Sequence, residues 1–363
     1  MVGAALLLLL DATAAALGGG RPGAAESFRA VARRPLTAHR FEEQNRMVAR
    51  HAFMLVLACA LAVGCGGHEP TGQRDRPATV PRPTPVVVGE GRLVPIGGGR
   101  SLYLKCVGSG TPTIILEAGF GGSSDNWREV HAPLGRTTRT CAYDRAGLGN
   151  SLPIPGTHDA GDEISDLRRL LDHARIAPPY VLVGHSYGGL LVRLFANAYP
   201  DATAGLVLVE SMGQNQDRRL LSIWRAQPAR VRRVLPKPGA SRVEDGVDII
   251  AGEALDGQVR TLGDTPLAVI TRGRPDDSDP LPASVRPPVD RLWTRMQDEL
   301  AALSSDHVHV TALRSGHFVQ RTLNGQPDVV IAAVRAVVRA ARTGTQLPPC
   351  RRVFHGSGVR CHA

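Results

Sequence analysis

The sequence predicts an α/β fold, with a mostly parallel central sheet and helices on both faces. Three observations carry this. From Arg92 onward, short strand-like and helix-like segments alternate, as they do in chains built from βα units. Several strands are almost continuously apolar, as in Leu206-Val207-Leu208-Val209, which suits strands buried on both faces of a parallel sheet. An apolar run from Val181 also passes through Gly184-His185-Ser186-Tyr187-Gly188 straight into a helix-like stretch.

In chain order, strands are expected at Ser101–Val107, Thr113–Glu117, Arg139–Tyr143, Val181–Val183, Gly205–Glu210, Leu267–Thr271 and His307–Leu313. Helices are expected at Gly161–Ala174, Leu190–Tyr199, Pro288–Leu303 and Asp328–Arg342. In the second of these, Leu190, Leu191, Leu194, Phe195 and Ala198 recur at helical spacing. No internal repeat is visible.

Upstream of the folded domain the chain reads differently. Residues 1–46 form an unassigned extension whose apolar run, Ala4 to Leu10, has no basic residue before it, and translation is expected to begin at Met47. From there, Met47-Val48-Ala49-Arg50-His51 precedes an apolar run from Ala52 to Val63. A basic start, an apolar core and a small-residue end describe a secretory signal over 47–64. Its core falls short of the ~20 residues that span a bilayer. Ala62-Val63-Gly64-Cys65 resembles the lipobox of bacterial lipoproteins, which implies cleavage before Cys65, a lipid on its thiol and a membrane anchor. Val56-Leu57-Ala58-Cys59 is a poorer second match. Residues 65–90, with Pro70, Pro77, Pro81, Pro83 and Pro85, read as a linker. The domain then covers 91–346, and 347–363 form a tail.

Composition narrows the class. The 363 residues are 43% hydrophobic and 21% charged, as in an ordinary globular protein. The net charge of +10 is carried by arginine, since Lys105 and Lys237 are the only lysines. These arginines are scattered without a recognition motif, so no nucleic-acid partner is expected. If Cys59 leaves with the signal and Cys65 carries lipid, Cys106, Cys141, Cys350 and Cys361 remain. Two disulfides suit an oxidising compartment, Cys350 with Cys361 and Cys106 with Cys141; four buried thiols are the alternative. No Cys/His spacing suggests a metal ligand set, and no cofactor is expected.

The chemistry centres on Ser186. A serine on a sharp strand-to-helix turn needs neighbours without bulk, and Gly184 and Gly188 supply them. The helix start that follows offers N–H groups and a dipole to a developing oxyanion. A bare Gly-x-Ser-x-Gly is weak evidence, and its place between strand and helix strengthens it.

Further motifs make residues 92–342 resemble the α/β-hydrolase superfamily, in its serine esterase and proline-iminopeptidase-like branch. Glu117-Ala118-Gly119-Phe120-Gly121-Gly122-Ser123-Ser124 with Trp127 resembles the family's oxyanion loop, with Ala118 where histidine is usual. Tyr143-Asp144-Arg145-Ala146-Gly147-Leu148-Gly149-Asn150-Ser151 is similar to its Asp-Arg-x-Gly-x-Gly-x-Ser turn, and Ser315-Gly316-His317-Phe318 to its histidine loop. The resemblance implies an α/β-hydrolase fold with a small helical cap at about 211–265. It also implies a triad of Ser186 as nucleophile, His317 as base and an acid.

For the acid, Asp276 stands three residues beyond Gly273 after the strand Leu267–Thr271, with Asp277 and Asp279 nearby. Glu210, after the preceding strand, is the alternative. The oxyanion donors are expected to be the backbone N–H groups of Phe120 and Tyr187. His309 is read as a sheet residue and His185 as a packing residue. The cap arginines Arg218, Arg219, Arg225, Arg230, Arg232 and Arg233 are read as a solvated surface.

The implied function is a serine hydrolase acting on a small carboxylic ester through an acyl-enzyme. An amidase or acyltransferase with the same triad is the alternative, and a non-catalytic lipoprotein binding module is the reading from another class.

Overall fold

Strands that are apolar on both faces need cover on both sides, and the architecture supplies it. The computed structural model describes residues 90–235, 237–238, 243–244, 246–275, 281–356 and 358–362. The expectations for residues 1–89 therefore lie outside the described residues: the start at Met47, the signal, Cys59, the lipid on Cys65 and the linker. So do those for Asp276, Asp277 and Asp279.

The central sheet contains β1 (Arg92–Gly97), β2 (Arg100–Val107), β3 (Thr113–Glu117), β4 (Thr140–Tyr143), β6 (Tyr180–His185), β7 (Thr203–Val209), β10 (Leu267–Arg272), β11 (His307–Ala312) and β12 (Val359–Cys361). Their order is β1-β2-β4-β3-β6-β7-β10-β11-β12. The run from β4 to β11 is parallel, and β1, β2 and β12 add antiparallel edges.

Successive strand residues face opposite sides. Ile114, Leu116, Val181, Val183, Val207 and Val209 join a core closed by α1 (Arg128–Gly135) and α8 (Pro327–Thr343). Ile115, Leu182, Leu206 and Leu208 join one closed by α2 (Ala160–His173), α3 (Tyr187–Ala198) and α7 (Arg286–Ala301). Helix α2 starts cleanly because Asp159 accepts from the N–H groups of Gly161 and Asp162, while Asp162 reaches back to the N–H of Asp159.

Between β7 and β10 the chain inserts α4 (Gln216–Arg225), α5 (Ala229–Arg232) and α6 (Ile249–Asp256). The short strands β8 (Val243–Glu244) and β9 (Val247–Asp248) form a three-stranded ribbon with β5 (His158–Asp159). Met212, Val247, Ile249 and Val259 pack on Tyr187, Leu190 and Leu191 of α3. A fully buried ion pair, Arg193 to Asp256 at 2.6 Å, ties the insertion to the same helix. Disulfides join Cys106 to Cys141, which are paired across β2 and β4, and Cys350 to Cys361.

Two strands of the central sheet were not expected, nor were the three of the small ribbon. In β1, Pro95 removes a donor and Gly97 adopts positive φ, which confines the segment to a sheet edge. β12 is too short for any period to show. Most boundaries moved by one to three residues, and two of these shifts bear on the site: α3 starts at Tyr187, directly after the serine, and Glu210 falls just beyond β7 at φ +47°.

Strand β3 is flanked by β4 on one side and β6 on the other, so consecutive connections leave in opposite directions. Open α/β sheets bind ligands at such a switch, outside the C-terminal strand ends. Ser186, Glu210, Arg272 and His317 all lie at or just beyond such ends.

Candidate active site

Ser186 sits between β6 and α3 at φ +55°, ψ −120°, a conformation that an L-residue holds only when its surroundings enforce it. Those surroundings are specific. A Cβ on Gly184 would collide with the backbone of Gly188 and Gly189, and one on Gly188 with the carbonyls of Glu117 and Ala118. Glycine at both places is therefore a packing requirement. The Ser186 N–H donates to Val209 O at 3.1 Å, and its carbonyl accepts from the N–H groups of Gly189 and Met212, each at 2.9 Å.

That last pair of bonds has a directional consequence. In a planar trans peptide the C=O and the next N–H point opposite ways. Pinning the Ser186 carbonyl therefore aims the Tyr187 N–H the other way. Tyr187 also opens α3, where no helical carbonyl can satisfy its N–H.

The loop after β3 follows the same logic through a different anchor. Arg145 donates to Ala118 O at 2.6 Å and to Gly119 O at 2.8 Å. The Gly119 carbonyl shares its peptide with the Phe120 N–H, so Arg145 fixes the direction of that donor. Gly119 itself presses on the elbow: a Cβ there would lie 3.1 Å from both Ser186 Cβ and His185 Nδ1.

Arg145 is held in turn by Glu117 Oε1 at 2.7 Å and by Glu163, 3.0 Å from its Nε. Tyr143 donates to Glu117, and Tyr187 donates to Glu163 at 2.7 Å. Burial pushes the Glu117 carboxyl up to about 7, against the pull of Arg145 and Tyr143. Two carboxylates thus share one guanidinium, with a phenol hydroxyl on each. In the same turn, Asp144 accepts from the N–H groups of Ser124, at 2.6 Å, and Asn150, at 2.8 Å.

His317 follows β11. Gly316 N–H donates to Asn324 O at 2.9 Å, and His185 Nε2 bonds the His317 carbonyl at 2.9 Å. The two imidazoles lie 4.6 Å apart. His185, expected only to pack, thus ties the elbow to the histidine loop. Burial, and then the charge of His317, push its pKa down to about 3, so it stays neutral.

On its other side His317 Nδ1 lies 3.3 Å from Glu210 Oε2. Glu210 is fully buried and also accepts from the Arg272 N–H and Nη1, both at 2.6 Å, and from Trp293 Nε1 at 3.0 Å. The Arg272 guanidinium lies 4.7 Å over the Trp293 ring. Burial raises the Glu210 carboxyl, but Arg272 and His317 outweigh it and hold it down at about 2. The structure therefore brings together Ser186, His317, Glu210, Phe120 and Tyr187; Asp276 lies outside the described residues. Arg272, Trp293, His185 and the bracing role of Arg145 had no local signal in the sequence, because each acts on a partner distant along the chain.

A carboxyl held below the ordinary glutamate value of 4.5 favours the folded state fully above about pH 5. That contribution is lost as the pH falls from about 4.5 to about 2. Glu210→Gln is therefore expected to remove roughly 3 kcal/mol of pH-dependent stability from this window. Urea midpoints at pH 7, 5, 4 and 3 measure it, and an equally steep decline in the variant would contradict the assignment.

Among known proteins, the model described as "Alpha/beta hydrolase family" matches residues 114–333. The chain belongs to the alpha/beta hydrolase family. Its sequence is 36% identical over 103 residues to the uncharacterized protein YqjL of Bacillus subtilis (strain 168), covering 28% of this chain and 41% of YqjL. It is 32% identical over 180 residues to the dihydrolipoyllysine-residue acetyltransferase component of the acetoin cleaving system of Pseudomonas putida. That match covers 47% of this chain and 48% of the relative, so the chain spans about half or less of the length of these relatives. Among solved structures, alpha/beta hydrolase domain-containing protein 10 from mouse shares the fold. Its TM-score is 0.52 at 18% identity, covering 69% of this chain and 99% of that one. Within the alpha/beta hydrolase family match fall the serine turn, Glu210, Arg272 and His317.

Proposed function

We propose that this protein is a serine hydrolase of carboxylic esters that works through an acyl-enzyme, with Ser186, His317 and Glu210 as its triad. One observation carries the reading: His317 Nδ1 faces the ion-paired Glu210 carboxylate at 3.3 Å, in a loop whose carbonyl is bonded by the residue before Ser186.

In this mechanism Ser186 Oγ attacks the ester carbonyl carbon and its proton passes to the His317 imidazole. The N–H groups of Phe120 and Tyr187 hold the oxyanion. Collapse expels the alcohol, which takes the proton from His317. Water, deprotonated by His317, then attacks the acyl-serine, and Ser186 recovers its proton as the acid product leaves. Glu210 accepts from Nδ1 throughout and balances the imidazolium charge.

A fluorophosphonate probe is expected to label the folded protein and not Ser186→Ala, and equal labelling of both would overturn the reading. Aryl esters of graded chain length, run beside aminoacyl arylamides, separate esterase from amidase. Adding an alcohol acceptor separates hydrolysis from acyl transfer, the chemistry in the name of the Pseudomonas putida relative.

Arg145 enters this mechanism as a positioning residue. Arg145→Lys keeps the charge but cannot reach two carbonyls in a fixed fork. A loss of about 10–100-fold in kcat with little change in KM is expected on an aryl ester. An unchanged kcat would show that the loop holds its donors without it.

We further propose that the protein is exported and anchored through a lipid on Cys65, a reading that the two disulfides support. Intact mass of the native protein should give a chain beginning at a lipidated Cys65, whereas a mature chain retaining Met47 would refute this.

A further inference from the structure

On the α7 side of the sheet, away from the serine turn, lies a polar group that the proposed function does not use. β10 and β11 pair Val269 with His309 and Thr271 with Thr311. His309, Thr311 and Thr271 are all buried, and Thr271 shares its face of β10 with the apolar Leu267 and Val269. Buried polar side chains carry a desolvation cost that needs an offsetting partner.

Their partners come from two other elements. His362, just after β12, stacks on His309 with ring centroids 3.8 Å apart and planes 12° from parallel. Asp298 of α7 points one carboxylate oxygen at both rings, 3.0 Å from His309 Nδ1 and 3.6 Å from His362 Nδ1. The far ring nitrogens are occupied. Thr271 Oγ1 lies 2.7 Å from His309 Nε2, and Thr311 Oγ1 lies 2.7 Å from His362 Nε2.

We propose that Asp298, His309 and His362 form a binding site for a divalent transition metal of the zinc class. The three donor atoms lie within 4.8 Å of one another. Donors on a tetrahedral zinc at ~2.0–2.1 Å stand roughly 3.3–3.4 Å apart. The two nitrogen-to-carboxylate separations bracket that value. Closure on one ion asks the stacked rings to tilt apart and the solvent-facing Asp298 side chain to adjust.

Protons satisfy this arrangement poorly. Protonating both rings places like charges at stacking distance, and leaving both neutral gives one carboxylate oxygen two weak donors. A single cation facing both Nδ1 atoms serves all three groups. The threonine hydroxyls fix the other ring edge, as outer-shell partners of metal-bound histidines do. Two imidazoles and one carboxylate favour zinc, copper or nickel over calcium or magnesium. Water completes the shell from the open side.

The test uses the full chain, purified without an affinity tag and stripped with a chelator. Zinc at about 100 times its Kd is expected to raise the melting temperature by roughly 5–10 °C, with about one equivalent bound. Cobalt should give the visible absorption of a tetrahedral site. Asp298→Asn, at an exposed position, should keep the metal-free melting temperature and lose the zinc shift, and His362→Ala, at a partly buried one, should still fold and lose that shift. Thr311→Val should weaken binding by about 10–100-fold. The proposal is overturned if zinc leaves the wild-type melting temperature unmoved, or moves that of His362→Ala as far. Fluorophosphonate labelling is independent of all these outcomes.

Discussion

Ser186→Ala is expected to lower kcat on an aryl ester by a factor on the order of 10⁶ while leaving the fold intact. Removing the nucleophile of a serine hydrolase costs about as much as removing the whole triad, because the members act as a unit. The residual rate comes from the oxyanion donors and substrate binding. Alanine keeps the Cβ and therefore the backbone strain at φ +55°. Ser186→Gly separates the two properties: it should be equally inactive yet roughly 1 kcal/mol more stable than Ser186→Ala, since strain of ~1–3 kcal/mol is released against a glycine entropy cost of ~0.5–1 kcal/mol. Steady-state kinetics beside urea denaturation read both effects. Substantial ester turnover by Ser186→Ala would move the nucleophile elsewhere.

Glu210→Gln is expected to cost on the order of 10⁴ in kcat, and Asp276→Asn little. The amide keeps the shape of the side chain but cannot balance the charge on His317, and the same exchange in a serine protease triad has that magnitude. Glutamine is preferred to alanine because its amide oxygen can still accept from the buried donors that meet Glu210, the Arg272 N–H at 2.6 Å and Trp293 Nε1 at 3.0 Å, whereas alanine would leave a cavity with no acceptor. If Asp276→Asn carries the loss instead, the acid belongs to the loop after β10 and Glu210 becomes a structural partner of Arg272. Both variants should be assayed from pH 6 to 9, because a His317 without its acid should also shift the pH dependence of kcat.

The parallel strands were legible because burial on both faces leaves a continuous apolar run, as in Thr113–Glu117 and Tyr180–His185. The serine turn was legible because Gly184 is demanded by the backbone of Gly188 and Gly189 only a few residues on, whereas the need for Gly188 comes from the distant Glu117 and Ala118 carbonyls. The choice between Glu210 and Asp276 was not, since the acid can follow either of two adjacent strands. What holds Glu210 at the histidine is Arg272 from β10 and Trp293 from α7. No spacing in the sequence could have shown the Asp298, His309 and His362 group either: its members come from α7, β11 and the tail, and tertiary structure alone makes them neighbours. Arg145 lay inside a recognised turn, but its grip on the Ala118 and Gly119 carbonyls depends on where that turn lands.

That grip has a consequence for adaptation. The Phe120 donor is aimed by a guanidinium acting on the preceding carbonyl, so its direction does not depend on the side chain at position 120. The Phe120 ring instead lies 4.5 Å from that of Tyr187, the residue that follows Ser186. Under the proposed acyl-enzyme mechanism, position 120 can therefore be varied to reshape acyl preference while the hydrogen bond to the oxyanion stays put. A library at this one codon explores new substrates without first having to rebuild the machinery that turns them over.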